Sequence, residues 1–347
     1  MNEVSDMEVR GKRVFVRSSL NVALNEEGKI ADDFRIRMSA PTIRELSEGG
    51  ARVVVAGHLG RPEGRDEKLS LKALVPRLEE LLGQDVSFVS DCVGAEAEKA
   101  VSEMSDGDVM LLENLRFHKG EVENDPVFAQ QLERLADLYV NDAFDVAHRA
   151  HASVFQLPKL LLSSMGPQFA EELKVLDRIL QHPDRPFVAV VGGSKVESKA
   201  RFAVKLAEKA DVVLVANLVR DAMPEIPSNV LAASDGVRVG ERELDIGPET
   251  TARFIEEIRK ARTVFWSGPL GMAEEEAYQA GSLAVAKAIL EIPRFSVIGG
   301  GDITAFLGLM GLREKFTHVS TGGGAMLAYV AGEKLPGIIA LEHSYHG

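Results

Sequence analysis

Short, mostly apolar runs alternate with longer amphipathic segments along the whole chain. RVFVR at 13–17, ARVVVAG at 51–57, VSFVSDC at 86–92, DVMLLEN at 108–114, FVAVVGG at 187–193 and FSVIGGGD at 295–302 read as strands buried on both faces, the pattern of a parallel sheet. Between them, LVPRLEELLG, VKLAEKA and TARFIEEIRKAR carry helical spacing. SAPTIRELSEGG places Ile43 and Leu46 on one face and stops at glycine, which predicts a helix beginning near residue 39. The succession is that of a doubly wound α/β chain. Strand after strand ends in a polar or glycine-rich loop, the sheet edge where ligands bind in such folds.

A boundary is expected near 157–184, where Pro158, Gly166 and Pro167 punctuate the chain. EELKVLDRILQHPDRP then reads as one linking helix and a proline turn, a natural hinge between two domains. At 347 residues, two medium cores are favoured over one large one. No apolar run is long enough to span a membrane and no cleavable leader is evident, so a cytoplasmic location is expected. The single cysteine, Cys92, has no partner for an internal disulfide and no Cys-x-x-Cys spacing, which predicts a structural role. A net charge of −13 with one Trp argues against a nucleic-acid groove.

Against that acidic background, Arg17, Arg35, Arg61, Arg116 and Arg149 stand in short polar segments of the first half. Guanidinium forks bind phosphate or carboxylate bidentately, so five together predict a pocket for a small anion. His58, His148 and His151 lie in the same segments and suit either anion binding or loop structure; no metal-ligand spacing accompanies them, so zinc is not expected there. In the second half, VGGSKVESK, VIGGGD and STGGGA combine lysines with glycine turns whose amides can hold phosphoryl oxygens. Lys195 and Lys199 are four apart and would repel one another unless an anion lay between them. Neither a Walker motif nor a dinucleotide GxGxxG is present, which disfavours a dehydrogenase.

These segments, with LLENLRFHKGEVENDP, YVNDAF, AHRAHAS, DIGPET and WSGPLG, occur in an order that resembles the phosphoglycerate kinase family over nearly the full chain. The resemblance implies two Rossmann-like three-layer domains with mostly parallel sheets: residues 1–166 binding 3-phosphoglycerate, an interdomain helix at 167–183, a nucleotide-binding domain at 184–330, and 331–347 packing back on the first domain. It implies a monomer that transfers a phosphoryl group reversibly between 1,3-bisphosphoglycerate with ADP and 3-phosphoglycerate with ATP, using Mg²⁺. By the same resemblance, Asn21, Arg35, His58, Arg61, Arg116 and Arg149 form the acid site. Gly192, Gly193, Lys195, Lys199, Glu274, Gly299, Gly300, Gly301 and Asp302 form the nucleotide site, with Asp302 meeting the nucleotide-bound magnesium. Arg35, Lys195 and Lys199 are the expected catalytic cations.

The chain departs from the family pattern at Ser19, Ser198, Ser267 and Ile303. It also reaches DIGPET much sooner after DVVLV than family members do, which predicts a shortened nucleotide-binding domain with an open or absent adenine pocket. A noncatalytic or repurposed relative that binds a phosphorylated acid is the alternative expectation.

Overall fold

The computed structural model describes Val4 and residues 7–344; the ends of the expected first and last segments, 1–3, 5–6 and 345–347, lie outside the described residues. Two compact units divide the chain, one of 1–173 with 334–347 and one of 174–333.

The first unit is built on a six-stranded sheet in the order Val86–Val89, Val109–Leu112, Arg52–Ala56, Arg13–Arg17, Leu138–Asn141 and Leu162–Met165. Every pairing in it is parallel. Because such strands are covered on both faces, Val14, Val16, Val53 and Val55 lie in the core with Ile36, Ile43 and Leu46 of the helix Phe34–Glu48. That helix begins five residues before the expected start and carries Pro41 inside it, so Arg35 sits in a helical first turn rather than a strand-end loop. The final helix, Pro336–Glu342, belongs to this unit: the Gly337 amide donates to the Ala147 carbonyl at 2.8 Å, and Leu335 and Leu341 are buried.

The second unit repeats the plan in the order Val230–Ala232, Val212–Val215, Phe187–Val191, Thr263–Ser267, Phe295–Gly299 and His318–Ser320, again all parallel. Numbered by their place in the unit, these strands run 3-2-1-4-5-6, so the order reverses between Phe187–Val191 and Thr263–Ser267. The crevice beyond the carboxyl ends of such a pair is the ligand position of an open α/β sheet. A two-stranded hairpin, Gly236–Val239 with Arg242–Ile246, adds to this unit. Among the described residues, no helix is long and apolar enough to cross a membrane.

Candidate active site

In the first unit the sheet order reverses at Arg13–Arg17 and Leu138–Asn141, and the basic residues gather beyond those ends. Asn21 organises the near side. Its Oδ1 accepts from the Gly60 amide at 2.8 Å and its carbonyl accepts from Arg35 Nη1 at 2.8 Å. Arg35 also lies 3.4 Å from Asp145. Arg116, buried, donates from Nη1 to the Gly60 carbonyl at 2.7 Å, while its buried Nε has no protein partner. Burial, with Arg17 and Arg149 close by, lowers the Arg116 guanidinium to a pKa of about 10. At physiological pH it remains a cation whose charge is poorly compensated, the condition an anion relieves.

His58 is buried against Arg17, whose Nη2 stands 3.2 Å from His58 Nδ1. A guanidinium can only donate, so Nδ1 accepts and the imidazole proton sits on Nε2. Burial, reinforced by Arg17, Arg116 and Arg35, holds His58 well below the ordinary histidine range. His151 is pushed down to about 3 by burial and then by Arg116, Arg17 and Arg149. Both rings are therefore neutral, and the positive charge of this cluster is carried by arginine alone. Arg149 is half-buried and Arg61 exposed, each without a side-chain hydrogen bond or ion pair among the described residues. The geometry thus joins Asn21, Arg35, His58, Arg116 and Arg149, and leaves Arg61 on the following loop with no bond to them.

The sequence counted Arg17 among the five pocket arginines, but the structure buries it beneath the cluster with protein partners, beside Ser153 and Glu121, to which sequence reasoning gave no role. Arg17 is fully buried, and its Nε donates to Ser153 Oγ at 3.0 Å; that hydroxyl donates in turn to Glu121 Oε1 at 2.6 Å. Glu121, also fully buried, accepts the Ser153 amide at 2.9 Å, and Tyr139 donates to the Ser153 carbonyl at 2.8 Å. A buried cation and a buried carboxylate thus compensate each other through one serine. Glu121 sits in a four-residue helix, Lys119–Val122, too short for periodicity to have shown which face it buries.

In the second unit, three strand ends converge. Gly192 and Gly268 approach so closely that a Cβ on Gly192 would lie 2.1 Å from the Pro269 carbonyl oxygen, and one on Gly268, where φ is +85°, would lie 2.2 Å from that of Gly192. Only glycine fits there. The helix Val196–Ala207 starts with Lys195 as its cap residue, exposed, and buries Lys199 one turn later. Lys199 Nζ donates to Ser267 Oγ at 2.7 Å, and Ser267 donates to the Gly299 carbonyl at 2.9 Å. The serine at 267 therefore serves as the acceptor that holds the buried ammonium. Burial lowers Lys199 to about 8, with Lys195 adding to the shift and Asp302 opposing it. Of the other departures, Ser198 donates to the Lys195 carbonyl at 2.9 Å, Ile303 is fully buried, and Ser19 Oγ is buried without a partner.

Two cavities flank this turn and share Gly193, Ser194 and Asp302. One, of about 1110 Å³, is lined by Lys195, Lys199, Gly268, Gly300 and Gly301. The other, of about 590 Å³, is lined by Asn217, Leu218, Leu270, Met272 and Glu274 and walled by the hairpin at Arg238 and Glu243. Every residue expected for the nucleotide site except Gly192 and Gly299 lines one or both; those two lie at the strand ends that shape the turn.

The phosphoglycerate kinase family model matches residues 4–223 and 218–333. The chain belongs to the phosphoglycerate kinase family. The cytosolic phosphoglycerate kinase of Triticum aestivum is 40% identical, with 98% of each chain covered, and the phosphoglycerate kinase of Pelotomaculum thermopropionicum is 41% identical over 97% of this chain and 98% of its own. The crystal structure of phosphoglycerate kinase from Pyrococcus horikoshii OT3 superposes with a TM-score of 0.90 at 32% identity, covering 99% of each chain. These matches correct the expectation of a shortened nucleotide-binding domain: the chain has the normal two-domain architecture of phosphoglycerate kinases over their full length. Residue spacing between motifs misled because it does not count elements. The stretch after Val215 supplies the helix Asn217–Asp221, the strand Val230–Ala232 and the hairpin, and the helix and hairpin wall the smaller cavity.

Proposed function

We infer that the chain catalyses reversible phosphoryl transfer between 1,3-bisphosphoglycerate with ADP and 3-phosphoglycerate with ATP. The observation that carries this reading is the full-length family match, with a cluster of arginines in one unit and a buried lysine among glycine turns in the other.

In this reading, Arg35, Arg61, Arg116 and Arg149, with Asn21 and neutral His58, bind the phosphate and carboxylate of 3-phosphoglycerate. His58 offers its Nε2 proton as a donor. The carboxylate to be phosphorylated is ionised at neutral pH, so no general base is needed and positioning with charge stabilisation carries the catalysis. Lys195, Lys199 and the amides of Gly193, Gly300 and Gly301 hold the nucleotide phosphates and the oxygens of the transferred group. Glu274 takes the ribose side of the smaller cavity. Asp302, exposed in the first turn of the helix Gly301–Leu309 and lining both cavities, offers the single hard carboxylate by which a nucleotide-bound magnesium is commonly held. The ion, when bound, supplies charge neutralisation on the phosphates.

A coupled assay with 3-phosphoglycerate and MgATP tests the reaction. The wild type is expected to form 1,3-bisphosphoglycerate, and Lys199→Ala to lower kcat by about 10²–10³-fold, the loss typical of one preorganised electrostatic donor. Calorimetry is expected to show 3-phosphoglycerate binding that weakens by about 2 kcal/mol in Arg149→Ala. Binding of both substrates by the wild type without transfer would refute the activity. Equal rates for wild type and Lys199→Ala would leave the activity standing and remove Lys199 from its role.

A further inference from the structure

Two loops of the first unit bring together three groups that the phosphoryl-transfer reading does not use. The strand Val86–Val89 runs into Ser90, Asp91 and Cys92, while Val109–Leu112, its parallel neighbour, leads through the turn Leu115–Phe117 to His118. Adjacent parallel strands end side by side, so the two loops meet. One ligand atom each from Asp91, Cys92 and His118 lies within 4.8 Å of the other two, the only such group of three among the described residues. Asp91 Oδ1 stands 2.7 Å from His118 Nε2 and accepts the Cys92 amide at 2.6 Å. The His118 ring is steadied by the Phe128 ring, with centroids 5.3 Å apart. Beside Asp91 and His118 opens a cavity of about 160 Å³, lined also by Arg65, Ser90, Glu113, Asn114 and Phe117.

We propose that Asp91, Cys92 and His118 form a binding site for a divalent transition-metal ion of the zinc or cobalt class, with a fourth position open to the small cavity. The donor set decides the class. One sulfur, one imidazole nitrogen and one carboxylate oxygen match a tetrahedral borderline-soft ion, whereas magnesium and calcium select oxygen alone. With metal–ligand bonds of about 2.0–2.3 Å, the donor atoms of a tetrahedron stand roughly 3.3–3.7 Å apart. The three atoms reach that spacing by shifts on the order of an ångström, and the Asp91 and His118 side chains, 41% and 34% exposed, have room to make them. An ordinary histidine–carboxylate pair accounts for Asp91 and His118 but gives no part to a thiol at the same point.

Binding replaces the His118–Asp91 hydrogen bond with two metal bonds: His118 gives up its Nε2 proton to solvent and takes one on Nδ1, so the ring stays neutral, and a metal–sulfur bond forms as the thiol proton leaves to solvent; no oxidant or reductant takes part. Without metal, burial and then the Asp91 charge hold the thiol well above its ordinary range, so it stays protonated and inert. His118 follows directly on the turn that carries Arg116, so the ion would tie the Asp91–Cys92 loop to the acid-binding segment.

The full chain, stripped with a chelator and titrated with Co²⁺ in the absence of nucleotide, tests the site. Expected are one bound equivalent and a cobalt–thiolate charge-transfer band that Zn²⁺ abolishes and excess Mg²⁺ leaves in place. His118→Gln is expected to weaken Co²⁺ binding by at least about tenfold. Cys92→Ser is expected to remove the band while circular dichroism shows the fold retained. No band with the wild type, an undiminished affinity in His118→Gln, or displacement by Mg²⁺ would overturn the proposal. Because His118 is partly exposed, its variant keeps the test decisive even where Cys92→Ser fails to fold.

Discussion

Lys199 carries two demands that pull in opposite directions. A buried ammonium offers a phosphoryl group a poorly hydrated positive charge and hydrogen-bond donor, yet burial brings its pKa down to about 8. Its positive form therefore dominates below pH 8 and gives way to the neutral amine above it. With the acid at saturation, kcat/KM for nucleotide is expected to hold level below pH 8 and to fall toward tenfold per pH unit well above it; a profile flat to pH 10 would show that the charge on Lys199 does not matter to transfer. The lysine itself was legible in the sequence from its spacing to Lys195 and the glycines before it. Its acceptor was not. Ser267 lies 68 residues further on, at the end of a strand whose composition gives no hint of what its last side chain touches. The Arg17–Ser153–Glu121 relay was hidden for the same reason: its three members come from a strand, a one-turn segment and a four-residue helix, and no short-range pattern links them.

Elements were read well where periodicity ran long and poorly where it was brief. The parallel strands declared themselves as apolar runs, and EELKVLDRILQ read as one helix, which the structure begins four residues earlier, at Pro167. The start of Phe34–Glu48 was placed five residues late, because the reading rested on Ile43, Leu46 and the closing glycines, although Phe34 and Ile36 are already buried on either side of Arg35. One helix end offers a measurable device. The fully buried Asp142 accepts from the amides of Gln168 at 2.9 Å and Phe169 at 3.3 Å, in the first turn of Pro167–Gln181. Burial raises its pKa from 3.8 to about 7 against the opposing pull of those amides. A raised carboxyl contributes stability that is fully present below pH 3.8 and lost as pH rises through 7. Asp142→Asn keeps the accepting oxygen and cannot ionise. Its stability relative to wild type, from urea midpoints, is expected to improve between pH 4 and pH 8 by on the order of 4 kcal/mol, and a constant difference would contradict the assignment.

At the scale of the whole molecule, the two units differ in how the chain supplies them. The second is one continuous stretch, 174–333, while the first needs 334–344 to cover Ala147 and Val154. Ending the chain at Glu333 removes the buried Leu335 and Leu341, a loss on the order of 3–6 kcal/mol to the first unit alone. Trp266, the single tryptophan, is fully buried in the second unit and so reports on that unit by itself. The truncated chain is expected to keep the urea midpoint of its tryptophan fluorescence while the transition seen by circular dichroism broadens toward lower urea. A matching fall in the fluorescence midpoint would show that the tail serves both units. The same interrupted wiring sets an order of events during synthesis. The unit translated first is the one that cannot close first. As the chain grows at about 5–20 residues per second, the second unit has all its residues once Glu333 has been added, whereas the first unit waits with Ala147 and Val154 uncovered until the last helix emerges. A chaperone that recognises exposed apolar surface during translation would find its longest opportunity there, on the amino-terminal half.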